Sequence, residues 1–164
     1  MNNILDALEW RYAVKKFDDK ASLTEQQILE VKKVFNLSAS SYGLQPYKMI
    51  VVQNPELKEK LVPASFGQQQ ISQSAAILVF AVRTDFDMDY IDQFFEDMST
   101  KRQIPLENLE GYKNFMKGSF ANKSEDEISS WAKNQVYLTM GHMLVSLAAL
   151  QIDACPIEGL DPQA

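Results

Sequence analysis

The chain has 164 residues, of which 46% are hydrophobic, and this is enough to build the core of one domain. Its formal net charge of -6 leaves no basic surface of the kind that nucleic-acid binding requires. With one cysteine and one histidine, Cys155 and His142, the sequence has neither an internal disulfide nor a cysteine–histidine metal site. We therefore expect a single domain over residues 1–164 that holds no metal and binds no nucleic acid.

The N-terminal part of the chain has the apolar spacing of a helix. Asn2 or Asn3 can cap it, because a short polar side chain accepts a hydrogen bond from a first-turn amide that is otherwise unpaired. Four apolar positions share one side of this helix: Ile4, Leu5, Leu8 and Tyr12. Acidic residues interrupt the apolar pattern, so the segment lacks the basic start and continuous apolar run of a secretory signal. We expect a cytoplasmic protein.

A second helix is marked by a capping box. Thr24 and Gln27 supply the box, and Leu23 with Ile28 supplies the hydrophobic staple that accompanies it. The apolar positions that follow repeat along one face: Ile28, Val31 and Phe35. The sequence therefore predicts a helix that begins immediately after Thr24.

Two strands follow this helix. The first is Tyr47–Val52, after which Asn54, Pro55 and Glu56 supply the cap, the first-position proline and the first-turn acid of another helix. The second strand, residues 76–82, is apolar without alternation, as expected for a strand covered on both faces. We place this strand in the middle of a sheet.

The second half of the chain is predicted to be helical. Residues 88–101 and 105–115 form two shorter helices, and Ser124 with Glu127 forms a capping box for a long helix over residues 125–152. No charged residue lies between Lys133 and Asp153, so a membrane span is an alternative. Polar residues along the helix favour a core helix, or one buried against a second subunit. We expect no membrane association.

Three polar segments stand out from this framework, and each has a plain structural interpretation beside a functional one. RYAVKKFD, with Arg11 and Lys15, is either a solvated basic surface or an anion site. SASSYGLQP is either an ordinary loop or a ligand loop with hydroxyl donors and a close backbone approach at Gly43. ACPIEGLD either ends the long helix or forms part of a site.

Taken together, four segments resemble the nitroreductase family of FMN-dependent NAD(P)H oxidoreductases: RYAVKKFD, SSYGLQPYKMIVV, QVYL and PIEG. They occur in the family's order and spacing over nearly the whole chain. The resemblance implies an α+β fold with a mostly antiparallel sheet wrapped by helices around a long central helix. It also implies a homodimer that binds FMN at each of two interfaces. The family normally continues through a further strand, a basic pair and a tail, so the chain is C-terminally short relative to it.

The resemblance also implies roles for individual residues. Lys15 would lie by the N1 and O2 edge of the flavin, where a fixed ammonium stabilises the charge of the reduced ring, and is the catalytic residue. Further cofactor contacts are implied for Arg11, which binds the phosphate, and for Tyr12, Ala13, Ala39, Ser40, Ser41, Gly43, Pro156, Ile157, Glu158 and Gly159. Some members place an asparagine and a lysine where this chain has Gly67 and Gln70, and Gln68 is a possible substitute.

The function implied is transfer of hydride from NADH or NADPH through FMN to a nitroaromatic, quinone or similar planar acceptor by a ping-pong cycle. The protein would supply position and electrostatics, while the flavin supplies the redox chemistry. The alternative is a truncated relative that dimerises but binds FMN weakly and lacks turnover.

Overall fold

The computed structural model describes residues 3–161 and 163–164, which fall into two compact units. The first unit takes the described parts of Met1–Ser38, Met49–Phe80 and Leu138–Ala164, and the second takes Ala39–Lys48 and Ala81–Tyr137. The single-domain organisation stays a prediction.

The secondary structure is mainly helical, with one small sheet. Two 3-10 turns, at Ser41–Gly43 and Leu106–Leu109, separate some of the elements. The elements in chain order are α1 Ile4–Trp10, α2 Glu25–Leu37, β1 Tyr47–Val52, α3 Pro55–Ala64, α4 Gln70–Gln73, β2 Ile77–Val82, α5 Met88–Arg102, α6 Glu110–Phe120 and α7 Glu125–Ala149.

Helix α1 begins at the predicted cap but ends earlier than the apolar spacing indicated. The Asn3 side chain accepts hydrogen bonds from the backbone amides of Leu5 and Asp6, at 2.7 and 3.0 Å. Asn2, the other predicted cap, lies outside the described residues. Arg11 is already extended, with φ -71° and ψ 137°, so the prediction that Tyr12 belongs to the helix was wrong. The chain leaves α1 as a strand-like segment.

Three further predicted helix starts, those of α2, α3 and α7, are confirmed. Thr24 and Gln27 form the reciprocal capping box at the start of α2. Asn54 caps α3 by accepting from a first-turn amide at 3.0 Å. At α7, Glu127 accepts from the Ser124 amide at 2.8 Å, and the Ser124 hydroxyl accepts from the Glu127 amide at 3.3 Å. Side chains within four residues of each start satisfy its unpaired amides, which is why local sequence located them.

The sheet is antiparallel, and β2 lies in it differently from the prediction. The amide of Arg83, after β2, donates to the carbonyl of Pro46, before β1, at 2.9 Å, so the end of one strand meets the start of the other. Among the described residues β2 pairs with β1 alone, and its side chains are half-buried, with Val79 exposed. The predicted mid-sheet strand covered on both faces is therefore not found there. An apolar run indicates that a segment prefers to be buried, but it does not indicate which element packs against it.

Helix α7 is the longest described helix, and it ends three residues before the predicted end. Gln151 adopts a left-handed conformation, φ 57°, and the Ile152 amide donates back to the Leu147 carbonyl at 2.9 Å. This is a left-handed helix terminus with glutamine at a position that glycine usually occupies. Residues at helical spacing are buried along one stripe of α7: Ala132, Gln135, Thr139, Met143 and Leu147.

Helices α5 and α6 form the core of the second unit. The predicted helix over residues 88–101 is confirmed, whereas the predicted helix over 105–115 is a 3-10 turn followed by α6, which continues to Phe120. Pro105 precedes the turn, and local pattern did not locate the boundary. The buried residues of this core are Leu44, Ile91, Phe95, Met116 and Phe120.

An ion pair joins α5 to α6 on the outside of this core. Asp92 lies 2.5 Å from the ammonium of Lys117 and 3.7 Å from that of Lys113. The hydrogen bond from Lys117 lowers the pKa of the Asp92 carboxyl below its ordinary value. The carboxylate therefore stays charged, and its partners stay attracted to it, into mildly acidic solution.

The first unit has its own core. Val31 of α2 packs with Met143 and Leu147 of α7, and partly buried side chains from both strands cover them. This core positions the chain that follows α7, which returns along the N-terminal segment. Among residues 3–161 and 163–164, no helix combines the length and the apolar character needed to cross a bilayer.

Candidate functional site

Two distant segments of the first unit lie side by side. Ala13, in the extended segment after α1, forms a parallel β-bridge with Ala154, which follows α7. Val14 is buried and anchors the N-terminal segment, while its neighbours Ala13 and Lys15 are less buried. The alternation of an extended chain thus buries Val14 and presents Lys15 outwards.

The N-terminal segment brings two cations to this pairing. The Lys15 ammonium lies 4.0 Å from the Cys155 sulfur. Arg11, earlier in the same extended segment, is half-buried. Within the described part of the chain, neither cation forms an ion pair with a carboxylate. Two positive charges without a neutralising acid among the described residues can attract an anion, because no internal ion pair competes for them.

The segment that follows Ala154 is held in place by the loop after α3. The Gln68 side-chain amide donates to the carbonyls of Gly159 and Ser65, both at 3.1 Å. The Asp161 amide donates to the Ala64 carbonyl at 2.7 Å. These contacts fix residues 159–161, which have no regular secondary structure of their own.

Gly159 lies where a side chain would crowd its neighbours. A β-carbon added there would be 3.4 Å from the Gln68 side-chain nitrogen and 3.4 Å from ring carbon Cδ2 of Phe66. Glycine thus allows the loop after α3 to approach the backbone closely. The result is a short stretch of backbone bordered by an amide side chain and an aromatic ring.

A buried lysine braces the residues that follow this loop. Lys58 of α3 is buried, and its ammonium donates to the Ser72 carbonyl at 3.2 Å and to the Ser74 carbonyl. Its charge is offset by carbonyl dipoles, since no ion pair with a carboxylate is found in the described ranges. Lys58 thereby fixes α4, at whose start Gln70 lies.

The loop between α2 and β1 lies in the second unit and folds on itself. The Ser40 hydroxyl accepts from the Gln45 amide at 3.0 Å, and the Ser40 carbonyl accepts from the Gly43 amide at 2.9 Å. Tyr42, Gly43 and Gln45 all have positive φ, at 61°, 73° and 46°. Left-handed conformations at non-glycine residues are costly and persist where the surroundings determine them. Because the Ser40 oxygen is the acceptor in the bond from Gln45, the Ser40 hydroxyl proton can still be donated to another group.

Two side chains of the second unit determine this loop. The buried Gln135 of α7 accepts from the Ser41 amide at 2.8 Å and donates to the Trp131 carbonyl at 3.1 Å. The Tyr90 hydroxyl donates to the Leu44 carbonyl at 2.6 Å, and burial raises the pKa of this hydroxyl above its ordinary value. The hydroxyl is therefore held in its protonated, donating form.

Comparison with known proteins places the chain among its relatives. A family model described as the nitroreductase family matches residues 8–164. A Staphylococcus haemolyticus protein assigned as an NAD(P)H nitroreductase is 31% identical over 162 residues, which are 96% of this chain and 74% of the relative. The chain belongs to the nitroreductase family.

Another relative and a solved structure agree with this membership. YfkO of Bacillus subtilis, also assigned as an NAD(P)H nitroreductase, is 34% identical over 163 residues, which cover 95% of this chain and 74% of YfkO. A nitroreductase structure from Exiguobacterium sibiricum, solved with FMN, superposes with a TM-score of 0.85 at 20% identity. It covers 99% of this chain and 78% of that one. The fold is therefore the α+β nitroreductase fold expected from the sequence.

The structure of this nitroreductase-family chain brings two of the predicted site segments of the first unit side by side. Ala13 is bridged to Ala154 and Lys15 lies beside Cys155, immediately before the segment of Pro156, Ile157, Glu158 and Gly159, and Gln68 contacts Gly159. Arg11 and Tyr12 precede the bridge in the same N-terminal segment. Gln70 lies at the start of α4, and no described hydrogen bond joins its side chain to this segment. Ala39, Ser40, Ser41 and Gly43 belong to the second unit.

Three residues that shape the site were missed from the sequence. Gln135 is the first residue of the QVYL segment. That segment indicated the family, but it did not predict the hydrogen bond from the Ser41 amide to Gln135. Lys58 looks like a surface lysine in sequence, and Phe66 looks like a loop hydrophobe. No local sequence pattern predicts the contacts of Lys58 and Phe66, because these contacts depend on how the chain folds back after α3.

Replacing Gln68 by methionine tests whether its two hydrogen bonds hold the Gly159 segment. We expect the free energy of unfolding to fall by about 1–2 kcal/mol, since two partly buried acceptors lose their donor. Gln69→Met is the matched control, because the Gln69 side chain is exposed and bonds only to the Gly67 carbonyl, two residues away. Urea unfolding of both variants measures the effect, and equal midpoints would show that the contact contributes nothing.

Proposed function

We propose that this chain is an FMN-dependent oxidoreductase that uses NADH or NADPH to reduce small planar acceptors such as nitroaromatics and quinones. The observation that carries the proposal is the pairing of Ala13 and Lys15 with Ala154 and Cys155, immediately before the Pro156–Gly159 segment, in a chain of the nitroreductase family. A related structure solved with FMN supports the choice of cofactor. A cytoplasmic location, in reach of NAD(P)H, is part of the same proposal.

The residues present fit FMN by the chemistry of their donors. The phosphate needs a cation with several donors, and the half-buried Arg11 guanidinium, which no described carboxylate neutralises, supplies one. The flat ring needs backbone close to its edge, and the missing side chain at Gly159 provides that approach. When bound, FMN accepts hydride from NAD(P)H and delivers two electrons to the acceptor.

Lys15 is the residue to which we assign the electrostatic role. It presents an ammonium from an extended segment whose neighbour, Val14, is buried and whose backbone is bridged to Ala154. The charge is thus anchored through its backbone, and an anchored charge stabilises negative charge on a ring without reorganising during the reaction. We assign Tyr12 and Ala13 to the lining of the same cofactor.

The Pro156–Gly159 segment is assigned to the opposite edge of the ring. Backbone amides of Glu158 and Gly159 would donate to it, and the Gln68 and Asp161 contacts hold this backbone in position. Rigid backbone donors suit this role because they cannot rotate away. No acid or base side chain is required, so the chain provides orientation and a slot that donor and acceptor occupy in turn.

The loop of Ala39, Ser40, Ser41 and Gly43 is assigned to a site shared with a second copy of the chain, as part of a homodimer. Its tight internal hydrogen bonds and its support by Gln135 make it a rigid donor surface. The alternative of a dimerising relative without turnover is not favoured, because the basic segment, the hydroxyl loop and the glycine approach are all present.

Flavin titration and steady-state kinetics test the function directly. We expect purified protein to bind FMN and to oxidise NAD(P)H with parallel double-reciprocal lines when a nitroaromatic or quinone is the second substrate. The physical reason is that one slot must release the oxidised nicotinamide before the acceptor enters. Intersecting lines would require both substrates bound together and would contradict the shared slot, and absence of FMN binding would contradict the function.

Lys15→Met tests the electrostatic role, with Lys16→Met as the neighbouring control. We expect the midpoint potential of bound flavin to fall by roughly 20–40 mV in the Lys15 variant, equivalent to about 1–2 kcal/mol for two electrons. The melting temperature should change little, because Lys15 is exposed and the polar contact described for its ammonium is a 4.0 Å approach to the Cys155 sulfur. Equal potentials in the two variants would remove Lys15 from its assigned role.

The homodimer is supported by apolar side chains that the described residues leave exposed. Helix α1 exposes Ile4, Leu5 and Leu8, and α7 exposes Tyr137 and Leu138. Exposed apolar groups of this kind are available for a protein–protein contact. A second copy would bury them in a symmetric contact.

Leu138→Glu tests the dimer, and Leu57→Glu is the matched control. The two leucines are 52% and 51% exposed, and Leu57 lies on α3, which is neither of the two helices named above. We expect sedimentation to show a dimer for the parent and for the Leu57 variant, and a shift of the Leu138 variant toward monomer. A buried charge without a partner costs several kcal/mol, which is enough to dissociate a micromolar dimer. A monomeric parent would refute the dimer.

A further inference from the structure

Phe66 combines features that an aromatic residue rarely combines. Its side chain is 71% exposed, the largest value among the large hydrophobic residues that the structure describes as exposed. Its backbone is left-handed, with φ 54°, in a residue whose β-carbon makes that conformation unfavourable. The chain therefore accepts backbone strain at this position while leaving the phenyl ring mostly in water.

The backbone of Phe66 is nevertheless fixed. The Phe66 amide donates to the Pro63 carbonyl at 3.2 Å, and the Gly67 amide donates to the Val62 carbonyl at 3.0 Å. These bonds close the end of α3 in the way that glycine normally permits. An exposed ring on a fixed backbone loses little further freedom when a ligand contacts it.

The ring borders the segment assigned to the flavin edge. A β-carbon added at Gly159 would lie 3.4 Å from Cδ2 and 3.7 Å from Cε2 of Phe66, so one edge of the ring lies against Gly159. The Gln68 side chain contacts the same glycine from beside the ring. The rest of the ring faces solvent next to this backbone.

We propose that Phe66 is a specificity-determining residue whose ring contacts the planar acceptor while the acceptor occupies the slot beside Gly159. This inference rests on the proposed function and names the residue that favours flat aromatic acceptors over compact ones. An aromatic acceptor gains a stacked or edge contact and loses apolar surface to water, whereas a compact hydrophilic oxidant gains neither.

A packing role and a ligand-binding role for the Phe66 ring predict opposite effects on stability when glycine replaces the residue. If the ring stabilised the fold through Gly159, replacing it by glycine would lower stability. If it serves a ligand, glycine at this left-handed position relieves strain and removes no essential packing. Phe66→Gly and Phe66→Ala therefore separate the two roles, because both delete the ring but only glycine relieves the backbone.

The experiment compares parent, Phe66→Ala, Phe66→Gly and Phe66→Tyr, with Leu57→Ala as a control for an exposed hydrophobic residue on the preceding helix, α3. Oxidised, FMN-loaded protein is titrated with 1,4-naphthoquinone, and the flavin absorbance gives a dissociation constant without turnover. Melting temperature, FMN affinity and the rate of ferricyanide reduction are measured in parallel.

We expect the alanine and glycine variants to bind naphthoquinone about 3- to 10-fold more weakly, as for loss of one aromatic contact. The tyrosine and Leu57 variants should match the parent. FMN affinity and the ferricyanide rate should not change. The glycine variant should melt at or up to about 4 °C above the parent, and above the alanine variant.

Four results would overturn the inference. Unchanged naphthoquinone affinity would remove Phe66 from the acceptor site, and quinone affinity that fell only in step with melting temperature would make its role structural. A parallel loss of FMN affinity would assign the ring to the cofactor instead. A parent that bound no FMN would overturn the proposed function together with this inference, which distinguishes that failure from the others.

Discussion

The parallel bridge between Ala13 and Ala154 is the constraint on which the candidate site depends. It places Lys15 beside Cys155, 140 positions away in sequence, and sets which side chains of the two segments are neighbours. Neither segment is a helix or a regular strand, so neither has a hydrogen-bonded partner close in sequence. Closing so long a loop costs entropy, which the packing of α2 and α7 around Val31 helps to offset.

That dependence explains what the sequence could and could not predict. Thr24, Asn54 and Ser124 cap helices through atoms within four residues, so the helix starts were predicted from local pattern. The half-buried state of β2, the end of α7 at Gln151 and the extended start at Arg11 depend on distant partners or on a non-glycine left-handed residue. Such features have no local signal, and these are where the predictions differed from the structure.

The candidate site shows the same division in its side chains. The cations and the PIEG segment were predicted because the residue types themselves suggest the chemistry, and the family resemblance supplied their roles. Gln68 and Gln70 could not be separated in sequence, since both are glutamines in one run, yet only Gln68 reaches Gly159. Gln135 supports the hydroxyl loop from a helix about 90 residues further along the chain, which periodicity alone does not reveal.

Lys58 has a consequence for following how this region moves. Its ammonium is buried between two backbone carbonyls on the flank of the loop that contacts Gly159. An amine in that position is shielded from acylating reagents until α3 and α4 separate, while the many exposed lysines react at once. The rate at which Lys58 becomes chemically modified therefore reports local opening of this part of the protein, separately from global unfolding.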